Sequence, residues 1–168
     1  MSLVTKIRIF DIIISLIGLI ILFPLFFLIF FLFFFEQKTP LFFQKRVGLN
    51  LKKFTLIKFR TMKINTLSKG THLVDKKNIT ACGHFLRKFK LDEFPQLLNV
   101  IMGDMSLVGP RPCLFNQKKL ISERKKRRVF EVRPGITGLA QISGIDMRTH
   151  ILLSKLDHKM IKEMNLYN

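Results

Sequence analysis

The chain has 168 residues, which suits one domain with one hydrophobic core, and it carries 29 Lys and Arg against 11 Asp and Glu. The resulting charge of +18 favours anionic partners such as nucleic acid, anionic lipid or phosphorylated substrates. Cys82 and Cys113 lie 31 positions apart, which is not a metal-ligand spacing, so we expect reduced thiols.

The first predicted element is a long apolar helix. Residues 12–35 carry no charged side chain, and a helix of that length reaches about 36 Å, enough to cross the hydrocarbon layer. Asp11 stands at the start of this segment, where we expect it to pair with Lys6 or Arg8 because an isolated carboxylate is costly near lipid.

Pro24 lies in the middle of the apolar segment, where a proline costs about 3 kcal/mol unless a kink is used. Basic residues flank both ends, so the positive-inside rule gives no orientation. The flanking residues are Lys6, Arg8, Lys38, Lys45 and Arg46. Two paths stay open: a single span with a tolerated proline, or a re-entrant helix bent at Pro24 with both ends on one face.

The remaining elements predict an α+β fold that is mainly helical with a small β-hairpin. The hairpin strands are residues 41–47 and 54–59, joined by a turn at Gly48, and a polar loop covers residues 65–78. Helices are predicted over residues 83–89, 91–102, 123–129 and 151–164. We expect a membrane-embedded part over residues 1–36 and a soluble domain over residues 37–168.

Asp92 and Glu93 are the first candidates for chemistry. Pro95 fits a helix only in its first turn, so the helix is expected to begin near Asp92 with two carboxylates at its N-terminus. One carboxylate can then be a nucleophile while the other binds metal or handles a proton. The alternative is that Asp92 only caps the helix.

Three further segments carry candidate phosphate-binding groups. Arg111 stands between Pro110 and Pro112, whose fixed backbone angles preorganise it for a phosphate; the alternative is a structural turn with a solvated arginine. Residues 133–141 contain glycines that allow close approach to a ligand, or simply a tight loop. Residues 58–62 place Lys58 and Arg60 on one face of an extended segment, suited to a substrate or to lipid headgroups.

Together these segments resemble the bacterial sugar transferase family, the monotopic phosphoglycosyl transferases that begin glycan assembly on polyprenyl phosphate. The resemblance covers nearly the whole chain, including the apolar segment with its central proline. The matching segments, in the family's order, are residues 58–62, 91–97, 99–100, 103–112 and 134–141.

The resemblance implies that Asp92 attacks the β-phosphorus of a UDP-sugar, UMP leaves, and a phospho-sugar stays on the carboxylate. Polyprenyl phosphate then attacks this intermediate and forms polyprenyl diphosphate sugar. Asp92 and Glu93 are expected to bind Mg²⁺, and Glu93 alternatively deprotonates the acceptor. The expected substrate-binding and phosphate-binding residues are Lys58, Arg60, Arg87, Pro110, Arg111, Pro112 and Gln141.

The family also implies the re-entrant form of the helix, packed on a catalytic domain at the cytoplasmic face of the bacterial inner membrane. Expected partners are a UDP-sugar, polyprenyl (undecaprenyl) phosphate and membrane lipids; a homodimer is left open, and no nucleic acid is expected. Two other functions compete on charge alone: a membrane-tethered nucleic-acid-binding protein and a non-catalytic membrane scaffold. No aromatic stacking platform interleaves the basic residues, which disfavours the first.

Overall fold

The computed structural model describes residues 2–64, 76–145, 147 and 149–166. Its helices are α1 (Leu3–Gln37), α2 (Ala81–Lys88), α3 (Gln96–Met102), α4 (Lys118–Lys126), α5 (Leu139–Ile142) and α6 (His150–Glu163). Its strands are β1 (Leu41–Val47), β2 (Lys53–Phe59), β3 (Ser106–Val108) and β4 (Gly135–Thr137). The predicted class, mainly helical with a small β part, is confirmed, while most of the predicted polar loop lies outside the described residues.

The predicted hairpin is confirmed. Strands β1 and β2 pair antiparallel, with Leu41 opposite Phe59 and Arg46 opposite Phe54. Asn50 adopts a left-handed conformation in the connecting turn, with φ of 49°, which an asparagine tolerates better than most residues. Because directly opposed residues of an antiparallel pair share a face, Phe54, Arg46 and Lys58 all lie on the same face of this hairpin.

The fold contains a second sheet that was not predicted from the sequence. Strands β3 and β4 pair in parallel, with Ser106 opposite Gly135 and Val108 opposite Thr137. Each strand has three residues, which is too short to show an alternating pattern of apolar and polar side chains. The pair joins the segment before Arg111 to the glycine-containing segment that begins at Arg133.

The predicted helix over residues 91–102 is confirmed in part, because its first turn is not α-helical. Residues Leu91–Glu93 form a 3₁₀ turn, and the α-helix α3 begins at Gln96. The reason is Pro95, which has no N–H to donate to the carbonyl of Leu91 four residues earlier. Phe94 instead donates to Leu91 over three residues, at 3.3 Å, so the chain tightens before α3 begins.

Helix α1 continues through Pro24 as one helix, and it is long and apolar enough to cross a membrane by length and composition. Near its start, Arg8 donates to the carbonyls of Val100 at 2.6 Å and Met105 at 3.3 Å. Asp11 accepts from Ser106 Oγ at 2.6 Å and from the backbone N–H of Leu107 at 3.2 Å. The expected pairing of Asp11 with Lys6 or Arg8 is therefore wrong, because the α3–β3 segment supplies closer donors.

The other end of α1 packs on the same domain. Ile29 and Phe33 are buried in a cluster with Phe59 of β2 and Leu86 of α2. Between these two attachments most of the large apolar side chains of α1 are exposed, including Ile20 at 74% and Phe23 at 63%. This exposed apolar surface is what a lipid environment would cover.

The part of the chain that follows α1 is held by further buried apolar clusters. One joins Val47 at the end of β1 to Leu120 of α4 and Leu153 of α6. A second joins the inner face of β2 to Val100 and Met105 around α3. Because these clusters connect the hairpin, α3, α4 and α6, they fix the segments that carry the candidate residues relative to one another.

Candidate functional site

Asp92 lies in the 3₁₀ turn Leu91–Glu93 and is 6% exposed. Lys90 enters this turn in a left-handed conformation, with φ of 58°, and no side chain caps the turn or the start of α3. The capping role considered for Asp92 therefore finds no support in the described residues. The carboxylate lies close enough to Lys58 of β2 and Arg87 of α2 for their positive charges to affect its pKa.

The pKa of Asp92 is set by two opposing influences. Burial raises this pKa above its usual range, and the negative charge of Glu93 adds to the increase. The positive charges of Lys58 and Arg87 lower it. These two cations therefore favour the ionised carboxylate, which is the form that a nucleophile needs.

Lys58 feels nearly every charge of the site. Burial lowers its pKa to about 8, Asp92 opposes this change, and Arg46, Arg87 and Arg111 reinforce it. Its Nζ lies 5.4 Å from the ring centroid of Phe42. Lys58 is thus close enough to Asp92 and to three arginines for each of them to affect its pKa.

Arg87 is held near the C-terminal end of β2 by a hydrogen bond, which close packing of α2 makes possible. Its Nε donates to Thr61 Oγ1 at 2.8 Å. Helix α2 comes this near because Gly83 has no side chain: a Cβ there would lie 2.3 Å from the Thr61 carbonyl oxygen. Burial lowers the pKa of Arg87, and Asp92 opposes the change.

Arg111 forms a salt bridge with Glu93. The Arg111 side chain is 40% exposed while that of Glu93 is 14% exposed, so the guanidinium keeps a face open to solvent or ligand. Its backbone carbonyl accepts from Nη1 of Arg124 at 2.8 Å. Arg124 is itself held by Asp157, with Nε donating to Oδ2 at 2.9 Å.

Pro110 and Pro112 hold the turn around Arg111 through their carbonyls. The Pro110 carbonyl accepts from the N–H of Gly135 at 3.0 Å, and the Pro112 carbonyl accepts from Nη1 of Arg46 at 3.0 Å. A proline has no N–H to offer a phosphate, so their contribution lies in this rigid backbone. The glycine-containing segment supports the same turn, because a Cβ on Gly135 would lie 2.1 Å from the Gly109 nitrogen.

The structure brings together Lys58, Arg87, Asp92, Glu93 and Arg111, and it leaves Arg60 and Gln141 outside this group of charges. Arg60 shares its face with Lys58 as predicted, since both cations lie 5.4 Å from the Phe42 ring centroid. Its Nε donates to the carbonyl of Thr39 at 3.0 Å. Gln141 Nε2 donates to the carbonyl of Ile136 at 2.9 Å, inside its own segment. Their predicted contacts with substrate stay predictions.

Arg46 belongs to the charged site, although from the sequence it was predicted only as one of the basic residues that flank the apolar helix. Burial and the positive charge of Arg111 lower its pKa to about 10. The register of the hairpin offered a signal, because Arg46 lies on the same face as Lys58. We define the charge cluster as Arg46, Lys58, Arg87, Asp92, Glu93 and Arg111.

The donor set fits Mg²⁺ in one respect. Mg²⁺ is commonly held by one or two carboxylates together with substrate phosphates and water. Asp92 and Glu93 supply two such carboxylates, and no group of three or more His, Cys, Asp or Glu ligands occurs among the residues that the structure describes. Most of the coordination sphere would therefore come from phosphate and water.

Comparison with known proteins identifies the family. The sequence model described as bacterial sugar transferase matches residues 2–168. The uncharacterized sugar transferase EpsL of Bacillus subtilis is 54% identical over 107 residues, which cover 63% of this chain and 52% of EpsL. An uncharacterized sugar transferase of Haemophilus influenzae is 33% identical, over 96% of this chain and 38% of its own length.

Two relatives have more specific names. The undecaprenyl-phosphate galactose phosphotransferase of Salmonella typhimurium is 34% identical, over 96% of this chain and 37% of that protein. The UDP-glucose:undecaprenyl-phosphate glucose-1-phosphate transferase of Xanthomonas campestris is 40% identical, over 80% of this chain and 29% of that protein. The chain thus spans about half of EpsL and under two-fifths of the other three relatives. The family match and these identities show that the chain belongs to the bacterial sugar transferase family.

Proposed function

We propose that this protein transfers a sugar-1-phosphate from a UDP-sugar to undecaprenyl phosphate, as the first membrane step in assembling a bacterial glycan. The names of the Salmonella and Xanthomonas relatives support the reaction class. The observation that carries the proposal is the buried Asp92 carboxylate, which lies under the influence of Lys58 and Arg87. No described feature selects the sugar.

The reaction proceeds in two displacements at one phosphorus atom. In the first, an Asp92 carboxylate oxygen forms a bond to the β-phosphorus of the donor. The bond from that phosphorus to the oxygen bridging it to the α-phosphate breaks, and UMP leaves with the electron pair. In the second, an oxygen of undecaprenyl phosphate attacks the same phosphorus, and the bond to Asp92 breaks to regenerate the carboxylate. Splitting the transfer in this way lets one carboxylate serve two substrates in turn.

The charge cluster explains how the residues favour these steps. Lys58 and Arg87 oppose the rise in the pKa of Asp92 that burial causes, and their positive charges would stabilise negative charge on a phosphoryl group bound at Asp92. Arg111, held by Glu93, offers its exposed face to the diphosphate. When bound at Asp92 and Glu93, Mg²⁺ would neutralise charge on the donor phosphates.

The two attachments of α1 support a re-entrant path in the cytoplasmic leaflet. Arg8 and Phe33 are 25 residues apart, about 37 Å along a helix, yet both contact the same basic domain. A helix that crossed a hydrocarbon layer of about 30 Å would separate these contacts across the membrane. We infer that α1 enters and leaves by one leaflet, with any bend at Pro24 accommodated inside one continuous helix.

The chemical test is to trap the intermediate. Protein purified in a membrane mimic with Mg²⁺ is incubated with a panel of UDP-sugars without acceptor, and mass spectrometry is expected to find a phospho-sugar on the peptide that contains Asp92. Asp92→Asn is expected to form no adduct and release no UMP, while Asp104→Asn, which lies outside the charge cluster, retains both. Donor cleavage that requires both substrates at once, with no modified enzyme, would contradict the proposal.

A further inference from the structure

Arg46 is a half-buried cation that forms no ion pair with a carboxylate of the described residues. Its Nη1 donates to the Pro112 carbonyl at 3.0 Å and its Nη2 donates to Gln44 Oε1 at 2.6 Å. Its Nε is buried and has no hydrogen-bond partner among the described residues. Two of its five N–H groups are therefore engaged, both by neutral oxygens, and its charge is left without a direct counterion.

The charge cluster divides into two halves. Lys58 and Arg87 are the cations that lower the pKa of Asp92, whereas Arg111 and Glu93 act on Arg46; the two halves are linked through Lys58, on which Arg46 and Arg111 also act. Glu93 already forms its salt bridge with Arg111, so the half that contains Arg46 carries a net positive charge. Confining like charges in a partly buried site is costly unless an anion joins them.

In-line displacement brings two different phosphates to the side of the phosphorus that lies opposite the Asp92 oxygen. A group that leaves phosphorus departs opposite the attacking Asp92 oxygen, and the acceptor later attacks opposite the same oxygen. The α-phosphate of UMP and the phosphate of the lipid acceptor therefore occupy the same region in turn. The Arg111 side chain is 40% exposed, so its guanidinium is open to a phosphate of either ligand.

We propose that Arg46 and Arg111 form one phosphate subsite that first holds the departing UMP phosphate and then the lipid acceptor phosphate. This inference rests on the proposed double displacement, and it adds Arg46 as a substrate-binding residue. Arg46 forms no ion pair that a phosphate would have to replace. Its hydrogen bonds to Gln44 and Pro112 hold it in place before a ligand binds. The subsite therefore favours exchange of one phosphate for the other.

The experiment measures each half-reaction separately. Adduct formation is followed with UDP-sugar alone, and the isolated adduct is then mixed with undecaprenyl phosphate, with UMP, or with buffer only. Arg46→Met is expected to slow adduct formation and discharge to either phosphate by about 10- to 100-fold, the range for losing a charge-assisted hydrogen bond. Hydrolysis of the adduct by water places no phosphate in the subsite, so its rate is expected to stay unchanged.

The matched control is Lys45→Met, which removes the neighbouring cation from the opposite, exposed face of β1 and is expected to leave all four rates unchanged. Arg46→Lys retains charge without the planar fork and is expected to give intermediate rates; it serves as the test if the methionine variant does not fold. An effect on only one phosphate, or an equal effect on hydrolysis, would overturn the shared subsite. Absence of any adduct in the unaltered protein would instead refute the double displacement.

Discussion

Replacing Asp157 by Asn is expected to destabilise the protein strongly, although this residue lies outside the charge cluster. Asp157 and Arg124 are both 2% exposed or less, and Nη2 of Arg124 lies 2.7 Å from Oδ2 of Asp157. The substitution preserves the shape of the side chain but leaves a buried guanidinium without its counterion. Breaking a buried ion pair in this way costs about 3–5 kcal/mol.

That cost predicts a measurable loss of thermal stability. A chain of this size loses about 2–4 °C in Tm for each kcal/mol, so the expected decrease is about 6–20 °C. Glu163→Gln is the matched control on the same helix, because its partner Lys159 is 3.7 Å away and both side chains are 61% exposed. An exposed pair contributes less than about 1 kcal/mol, so this control is expected to melt within about 4 °C of the unaltered protein.

Thermal unfolding in one membrane mimic, followed by circular dichroism, compares these variants directly. A double variant, Arg124→Met with Asp157→Leu, is expected to recover most of the loss because it removes both buried charges. Recovery stays incomplete, since the Arg111 carbonyl also loses its donor, at a cost of about 1–3 kcal/mol. If Asp157→Asn melts together with Glu163→Gln, the stabilising role assigned to this pair is refuted.

Two further predictions concern packing and topology. Gly135→Ala is expected to cost about 3 kcal/mol or more, because its Cβ would lie 2.1 Å from the Gly109 nitrogen and the two backbones must separate. Gly144→Ala meets open space and is expected to cost only about 1–2 kcal/mol for its positive φ, so equal melting temperatures would contradict this. With Cys82 replaced by Ser, cysteines at positions 2 and 38 are expected to react with a membrane-impermeant thiol reagent from the same side of the membrane, and labelling from opposite sides would exclude the re-entrant path.

Much of the architecture was predictable where a long periodic pattern specifies an element. Two short strand-like segments on either side of a turn at Gly48 predicted the hairpin, and the spacing of apolar residues predicted α6 within one residue at each end. Pro95 does stand at the start of a helix, as the residue before α3, but Asp92 lies in a separate 3₁₀ turn that precedes it. The pairing of β3 with β4 depends on contacts between segments 29 residues apart, which no local pattern carries.

The candidate site was also predicted only where local sequence patterns indicate it. Asp92, Glu93 and Arg111 were found because carboxylates beside a proline and an arginine between two prolines are unusual locally. Arg46 was missed because its neighbours are also basic, and only the hairpin register separates its inward position from the outward position of Lys45. The pairing of Arg124 with Asp157 could not be predicted from the sequence, because the two residues lie on different helices and are 33 positions apart. Arg124 also donates to the Arg111 carbonyl, a contact that only the fold creates.

The close backbone contacts at two glycines have a common consequence for the proposed chemistry. Gly83 lets α2 approach Thr61, which holds Arg87, while Gly135 lets β4 approach the backbone that precedes Arg111. Each arginine of the charge cluster is thus attached to backbone or to a side chain before any substrate arrives. Electrostatic stabilisation is most effective when the charges need not reorganise during reaction, so loosening these attachments is expected to slow transfer even where every charged residue is retained.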